Sequence, residues 1–127
     1  MKIKDVEAFH NNQDVLSMDL NTSVLNASIE MARRNIGSVM VTEGDMMAGI
    51  ATERDFMTRV IAQKLDPSST HLGDIMTTDI KTAFAEDDVD QCVIMMEKGK
   101  FRHLPILGDM GQVISMLSQR DFIRLGL

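Results

Sequence analysis

Two stretches of the chain, GIATERDFM (residues 49–57) and SMLSQRDFI (residues 115–123), each place a hydroxyl three residues ahead of a carboxylate as an apolar run ends. The pairs are Thr52 with Asp55 and Ser118 with Asp121. If a helix begins there, the carboxylate lies in its first turn and can accept two charge-assisted hydrogen bonds from a cis-diol. The hydroxyl, beside backbone N–H groups that have no partner inside the helix, suits a phosphate oxygen. Gly49 would let a bound molecule approach the backbone closely. The same spacing is also that of a helix capping box, in which hydroxyl and carboxylate satisfy each other's backbone N–H groups. The two roles are compatible on one motif.

The junction occurs twice because the chain is a tandem repeat. Asp121 follows Asp55 by 66 residues, and Ser118 follows Thr52 by the same number. Upstream the offset is 65: IGSVMV (36–41) matches FRHLPI (101–106), and TSVLNASIEMARRN (22–35) matches DDVDQCVIMMEKGK (87–100). The second copy therefore has one extra residue in its turn. The lead-ins IKDV (3–6) and LGDI (72–75) also correspond, and the polar DPSST (66–70) reads as a linker. The expected organisation is a first repeat over 1–65, a linker over 66–71 and a second repeat over 72–127.

The periodicity changes in the same order in each copy. A short extended piece (VLSM, IKTAF) precedes an amphipathic helix. In the first copy Val24, Ala27, Ile29 and Met31 follow the N-cap candidates Thr22 and Ser23; in the second Val89, Cys92, Val93 and Met96 follow Asp88. Gly99 lies where the second helix should stop. Two β-rich runs around a Gly/Asp turn come next, then a closing helix, ERDFMTRVIAQK (53–64) or QRDFIRLGL (119–127). The prediction is an α+β fold of two β-α-β-β-α units. Each is too small to bury a robust core alone, so the two should pack face to face with pseudo-twofold symmetry.

Comparison of the copies also sorts the remaining reactive residues. Arg102 and His103 stand where the first copy has Gly37 and Ser38, so the basic pair is not needed to build the fold and is the best candidate for gripping phosphate. Arg54, Lys100 and Arg120 read as solvated or paired. Cys92 matches Ala27, which marks it as a small buried helix residue rather than a nucleophile. His10, His71 and His103 are too scattered for a metal site, and the acids of EDDVD (86–90) suit the positive end of a helix dipole. No metal is predicted, and no nucleophile, base or metal constellation for catalysis is found.

Composition narrows the function classes. Thirteen Lys and Arg against nineteen Asp and Glu give a net charge of −6, which argues against a nucleic-acid or anionic-membrane surface. No apolar run reaches the roughly 18 residues of a membrane helix, and MKIKDVEAF has no signal-peptide core. A single Cys cannot form an internal disulfide, so the expected compartment is the cytoplasm. Twelve Met with no Trp or Tyr fit irregular cores and adaptable interfaces, with Met31, Met57, Met95 and Met96 placed on helices.

The order of elements, the duplicated GIATERD-type junction and FRHLPI before the second hairpin together resemble a CBS-domain pair, or Bateman module, over nearly the whole chain from Ile3 to Leu125. The resemblance implies a non-catalytic regulatory module that binds an adenosine ligand (AMP, ADP or ATP, with S-adenosylmethionine or NADH as further members of the class). It implies a homodimer acting on an unidentified effector protein. It assigns ribose to Asp55 and Asp121, and phosphate to Thr52 and Ser118, with Arg102 and His103 reaching across the inter-repeat cleft. Adenine is expected against Met18, Val39 and Ile50 in one copy, and Phe84, Leu104 and Met116 in the other. Ser115 replaces Gly49 in the second copy, where its side chain would obstruct the ligand, so the Thr52–Asp55 site is expected to dominate. The alternative reading is a ligand-free dimerisation scaffold whose motif is only a cap.

Overall fold

A computed structural model of the chain describes residues 1–126. They form an α+β structure with two three-stranded sheets. The chain divides into two compact units that cut across the sequence repeats. A middle unit holds Leu16–Ile80, and a terminal unit holds Met1–Val15 together with the chain from Lys81 onward.

In the middle unit, strand β1 (Ser17–Asp19) runs parallel to β2 (Ser38–Glu43), which pairs antiparallel with β3 (Met46–Thr52). Helix α2 (Val24–Arg34) connects β1 to β2. The Ser23 hydroxyl caps it by accepting from the Asn26 N–H at 3.0 Å. It ends where Asn35 turns left-handed at φ 55°, a conformation Asn tolerates. Val24, Ala27 and Met31 form its buried stripe, whereas Ile29, expected on the same face, is 57% exposed. Helix α3 (Glu53–Phe56) follows β3 without a break and continues as a π-turn over Met57–Ile61, so the closing helix stops short of the predicted Lys64.

The terminal unit repeats the plan: β4 (Ala83–Phe84), helix α5 (Val89–Gly99), β5 (His103–Leu107), β6 (Val113–Ser118) and helix α6 (Gln119–Ile123). Asp88 caps α5, accepting from the Asp90 N–H at 2.9 Å. The left-handed residue at its end is Lys100 (φ 54°), the counterpart of Asn35, so Gly99 is not the turn residue. Its bareness serves packing instead: a Cβ there would lie 2.4 Å from Cε1 of Phe101, whose ring folds back over the helix end. The closing helix predicted over 119–127 ends at Ile123, and Leu127 lies outside the described residues. Met31 and Met96, both 4% exposed, are core residues, whereas Met57 is exposed, at 57%.

What closes each core is the lead-in of the other repeat. In the middle unit Leu72 and Ile75 of helix α4 (Leu72–Ile75) join Val24, Ala27, Val39, Val41, Ala51 and Phe56. In the terminal unit Ile3, Val6 and Phe9, from the 3-10 turn Ile3–Asp5 and helix α1 (Glu7–Asn11), join Val89, Cys92, Leu104, Ile106 and Leu117. Backbone bonds fix both exchanges. Ile50 and Thr77 bond reciprocally, at 3.0 and 2.8 Å, and the Ile3 and Lys4 amides donate to Asp87 and Ala85. Lys2 and Lys4 add ion pairs to Glu86 at 2.8 Å.

Gly49 sits under the first of these exchanges. A Cβ on it would lie 2.7 Å from Sδ of Met76 and 2.8 Å from the carbonyl oxygen of Thr77, a backbone atom that cannot swing away. Gly49→Ala is therefore expected to destabilise the protein by about 1–3 kcal/mol. Gly37→Ala, whose Cβ would meet only the end of the Glu53 side chain, should cost less. Urea midpoints at unchanged m-value would measure both, and equal small losses would show that the 76–77 segment moves freely.

Candidate functional site

Both hydroxyl–carboxylate pairs lie at strand-to-helix junctions, and both form complete capping boxes. Thr52 Oγ1 accepts from the Asp55 N–H at 3.2 Å, while Asp55 Oδ2 accepts from the Thr52 N–H at 3.0 Å and from its hydroxyl at 3.1 Å. Ser118 Oγ accepts from the Asp121 N–H at 3.3 Å, and Asp121 Oδ2 accepts from Ser118 N–H and hydroxyl at 2.8 and 3.1 Å. The first helical amide of each junction is also occupied: Glu53 donates to the Gly37 carbonyl and Gln119 to that of Arg102. The geometry arises because each strand pair ends in register at the cap, Ser38 opposite Thr52 and His103 opposite Ser118.

Each carboxylate has a further neighbour that local sequence reading did not identify. Arg59 Nε lies 3.7 Å from Asp55 Oδ1, and its Nη1 donates to the Ile75 carbonyl at 3.0 Å, so one guanidinium links the cap to the exchanged α4. In the terminal unit Asn12 Nδ2 donates to Asp121 Oδ2 at 3.3 Å and to the Met116 carbonyl at 3.1 Å. Arg59 was findable, since Asp-x-x-x-Arg on a helix places the two on one face. Asn12, more than a hundred residues from Asp121, carried no such signal. On both carboxylates Oδ2 is the crowded oxygen. Oδ1 of Asp121 takes no hydrogen bond among the described residues, and that of Asp55 faces only Arg59.

The structure corrects the reading of position 49 and its counterpart. Ser115 is fully buried, and its Oγ donates to the Phe9 carbonyl at 2.8 Å. It holds the end of α1 on the sheet and obstructs nothing outside. Gly49, in turn, accommodates Met76 and Thr77 rather than a ligand. The physical basis for ranking the first site above the second is thereby removed.

The six residues expected to flank an adenine separate by sheet face. Val39 and Leu104, 1% and 0% exposed, point into their cores and offer a base no surface. Side chains alternate along a strand. Ile50, itself buried at 7% exposure, and the partly buried Met116 lie on the opposite faces, cross-strand from Met40 and Pro105. Met18 is partly buried against the middle core, and Phe84 is 51% exposed at the end of β4. In the terminal unit the structure brings Arg102 and His103 to the strand end that carries Ser118 and Asp121.

Other groups have structural roles. Cys92 is 2% exposed in the terminal core, and burial, with Asp87 and Asp88 nearby, pushes its thiol up to about 11, so it stays protonated at neutral pH. Among the described residues no three His, Cys, Asp or Glu side chains converge as metal ligands, and no helix is long and apolar enough to cross a membrane.

These paired junctions and sheets are those of a known family. The CBS domain pattern matches residues 3–62 and 72–127, and the chain belongs to the CBS-domain family as a tandem pair. It is 36% identical over 107 residues to the mitochondrial CBS domain-containing protein CBSX3 of Arabidopsis thaliana, covering 80% of this chain and 52% of that protein. It thus spans about half, and for other relatives about a fifth, of the curated proteins it matches. Its fold superposes with a TM-score of 0.90 on a putative signal-transduction protein with CBS domains from Burkholderia ambifaria, at 27% identity over 100% of this chain and 94% of the other. The CBS domain pair of protein MJ0100, solved in complex with 5′-methylthioadenosine and S-adenosyl-L-methionine, superposes at 0.83 with 24% identity over 99% and 95% of the two chains.

The caps predict a stability effect that needs no ligand. Thr52→Ala or Ser118→Ala should each cost about 1 kcal/mol, and Thr52→Ser should restore most of the loss. Chemical denaturation of the ligand-stripped protein checks this, and neutral alanine variants would show that the boxes do not stabilise the helices.

Proposed function

We propose that this CBS pair is a regulatory module that binds an adenosine-containing ligand at its two capped junctions and transmits occupancy to a partner protein. The observation that carries this reading is the duplicated junction itself. Both copies keep a carboxylate whose Oδ2 is used by the cap while Oδ1 remains for a diol, although the surrounding residues differ. A carboxylate offers about four lone-pair positions, so capping and ribose binding do not compete for the same ones. The ligand-bound pair of similar fold supports the adenosine class. Arg102 and His103 supply phosphate contacts at the Ser118–Asp121 junction, and Ile50, Met116, Met18 and Phe84 the apolar contacts to the base. The module works as a homodimer, for which Leu25, Ile29, Met57 and Ile61, all more than 40% exposed, supply an apolar face. A lone buried Cys suits the reducing cytoplasm.

Calorimetric titration of ligand-stripped protein with AMP, ADP, ATP, NADH and S-adenosylmethionine tests the reading. At least one should bind, and at a hundredfold its Kd it should add about 2.7 kcal/mol of stability. Asp55→Asn and Asp121→Asn should each weaken binding at their own junction roughly 10- to 150-fold, the loss of a hydrogen bond to a charged group. No heat and no thermal shift with any ligand would leave the scaffold reading standing. For assembly, Ile29→Glu should shift sedimentation toward the monomer; an unchanged dimer would place the interface elsewhere.

A further inference from the structure

The two copies of the first amphipathic helix differ on one exposed patch. In the first copy Glu30 binds both following arginines: Arg33 Nη2 and Nε donate to it, and Arg34 Nε donates to Oε1 at 2.9 Å. At the matching positions the second copy has Met95, Lys98 and Gly99. Position 95 thus has no carboxylate to match Glu30, and the acids of α5 lie instead at Asp90 and Glu97, beside Lys98; one long side chain is also gone, at Gly99. There the terminal unit has a cleft of about 440 Å³, lined by Ile94, Met95, Gly99 and Phe101, with Lys81 and Lys98 among its walls. The Phe101 ring can form that wall only because Gly99 has no Cβ. Neither lysine has an ion-pair partner among the described residues, in a chain whose net charge is −6. Lys81 itself replaces Leu16, which is a buried core residue in the middle unit.

We propose that this cleft is a second ligand site, distinct from the capped junctions, for a small amphipathic anion: a carboxylate on a short apolar body. The cleft is shallow and open to solvent, and its lining is mostly apolar with a few polar groups, which suits a small ligand held along one side. Ile94, Met95 and Phe101 take the apolar body, and Met95 adapts to its shape. The Lys81 and Lys98 ammonium groups take the carboxylate. The carbonyl end of α5 opposes an anion, as any helix C-terminus does, but two cations without internal partners outweigh one partial charge. Charge complementarity thus selects an anion over a neutral or cationic guest of the same shape.

Decanoate, below its micelle concentration, is the probe, with decanol and decyltrimethylammonium as shape controls. Observed by NMR of methyl-labelled protein, decanoate should shift the Met95 and Ile94 methyl signals saturably, and should bind roughly tenfold or more tightly than either control, the scale expected for charge-assisted contacts. Lys81→Ala with Lys98→Ala should abolish that preference. Met95→Glu, which restores the carboxylate of the first copy beside Lys98, should weaken decanoate similarly. Adenosine-ligand affinity should be unchanged in all these variants, so the outcome does not depend on the function proposed for the junctions. No saturable shift, equal binding of the three probes, or a preference that survives loss of both lysines would overturn the proposal. So would tight binding of an acidic peptide with no response to decanoate, which would make the cleft a protein-docking groove.

Discussion

The exchange of lead-ins is the constraint on which the rest of the structure depends. Each unit has a small sheet whose buried face is not covered by the elements of its own repeat. Leu72 and Ile75 complete one core, and Ile3, Val6 and Phe9 complete the other. At this size nearly every apolar side chain must be buried for the core to outweigh chain entropy. Hydrogen bonds fix the exchange at the outer strands, through the Ile50–Thr77 backbone pair on β3 and through the Ser115 side-chain hydroxyl, which donates to the Phe9 carbonyl, on β6. The two positions that receive the lead-ins, Gly49 and Ser115, are equivalent in the repeats and solve the same problem differently. One has no side chain in the way, and the other uses its side chain as the attachment.

That constraint extends to the caps. Arg59 reaches from the Asp55 carboxylate to the carbonyl of Ile75, and Asn12 reaches from the end of α1 to Asp121. In both units, then, the carboxylate proposed to hold a ribose also touches a group anchored to, or belonging to, the exchanged segment. A change in the hydrogen bonding of either carboxylate alters the attachment of a segment contributed by the other repeat. This is a short physical route between occupancy of a junction and the packing of a core, and it needs no long chain of intermediates.

Duplication also acts as an internal comparison. Ala27 and Cys92 agree in being small and buried, and Asn35 and Lys100 agree in turning left-handed, so these positions serve the fold. Where the copies disagree at the surface, the fold does not require either residue. Glu30 against Met95 and Gly37 against Arg102 are such positions, and the first of them leaves Lys98 without the carboxylate partner that Arg33 has in the first copy.

Much of this was legible in the residues. The repeat, the β-α-β-β-α order, the caps at Ser23, Asp88, Thr52 and Ser118, and the burial of Cys92 follow from local spacing and hydrogen-bonding capacity, which act within a few residues. Alternation on β2 and β5 gave the period but not which face meets the core. Val39 and Leu104 therefore read as ligand contacts when they are core, and a one-residue shift reverses every such assignment. Nor could local pattern show that the lead-ins trade sheets, that Ser115 turns inward, that Gly99 makes room for Phe101, or that Asn12 meets Asp121. Those facts depend on contacts between segments far apart in the chain, where either repeat's lead-in has the apolar residues to cover either sheet. Only the tertiary structure decides which one does.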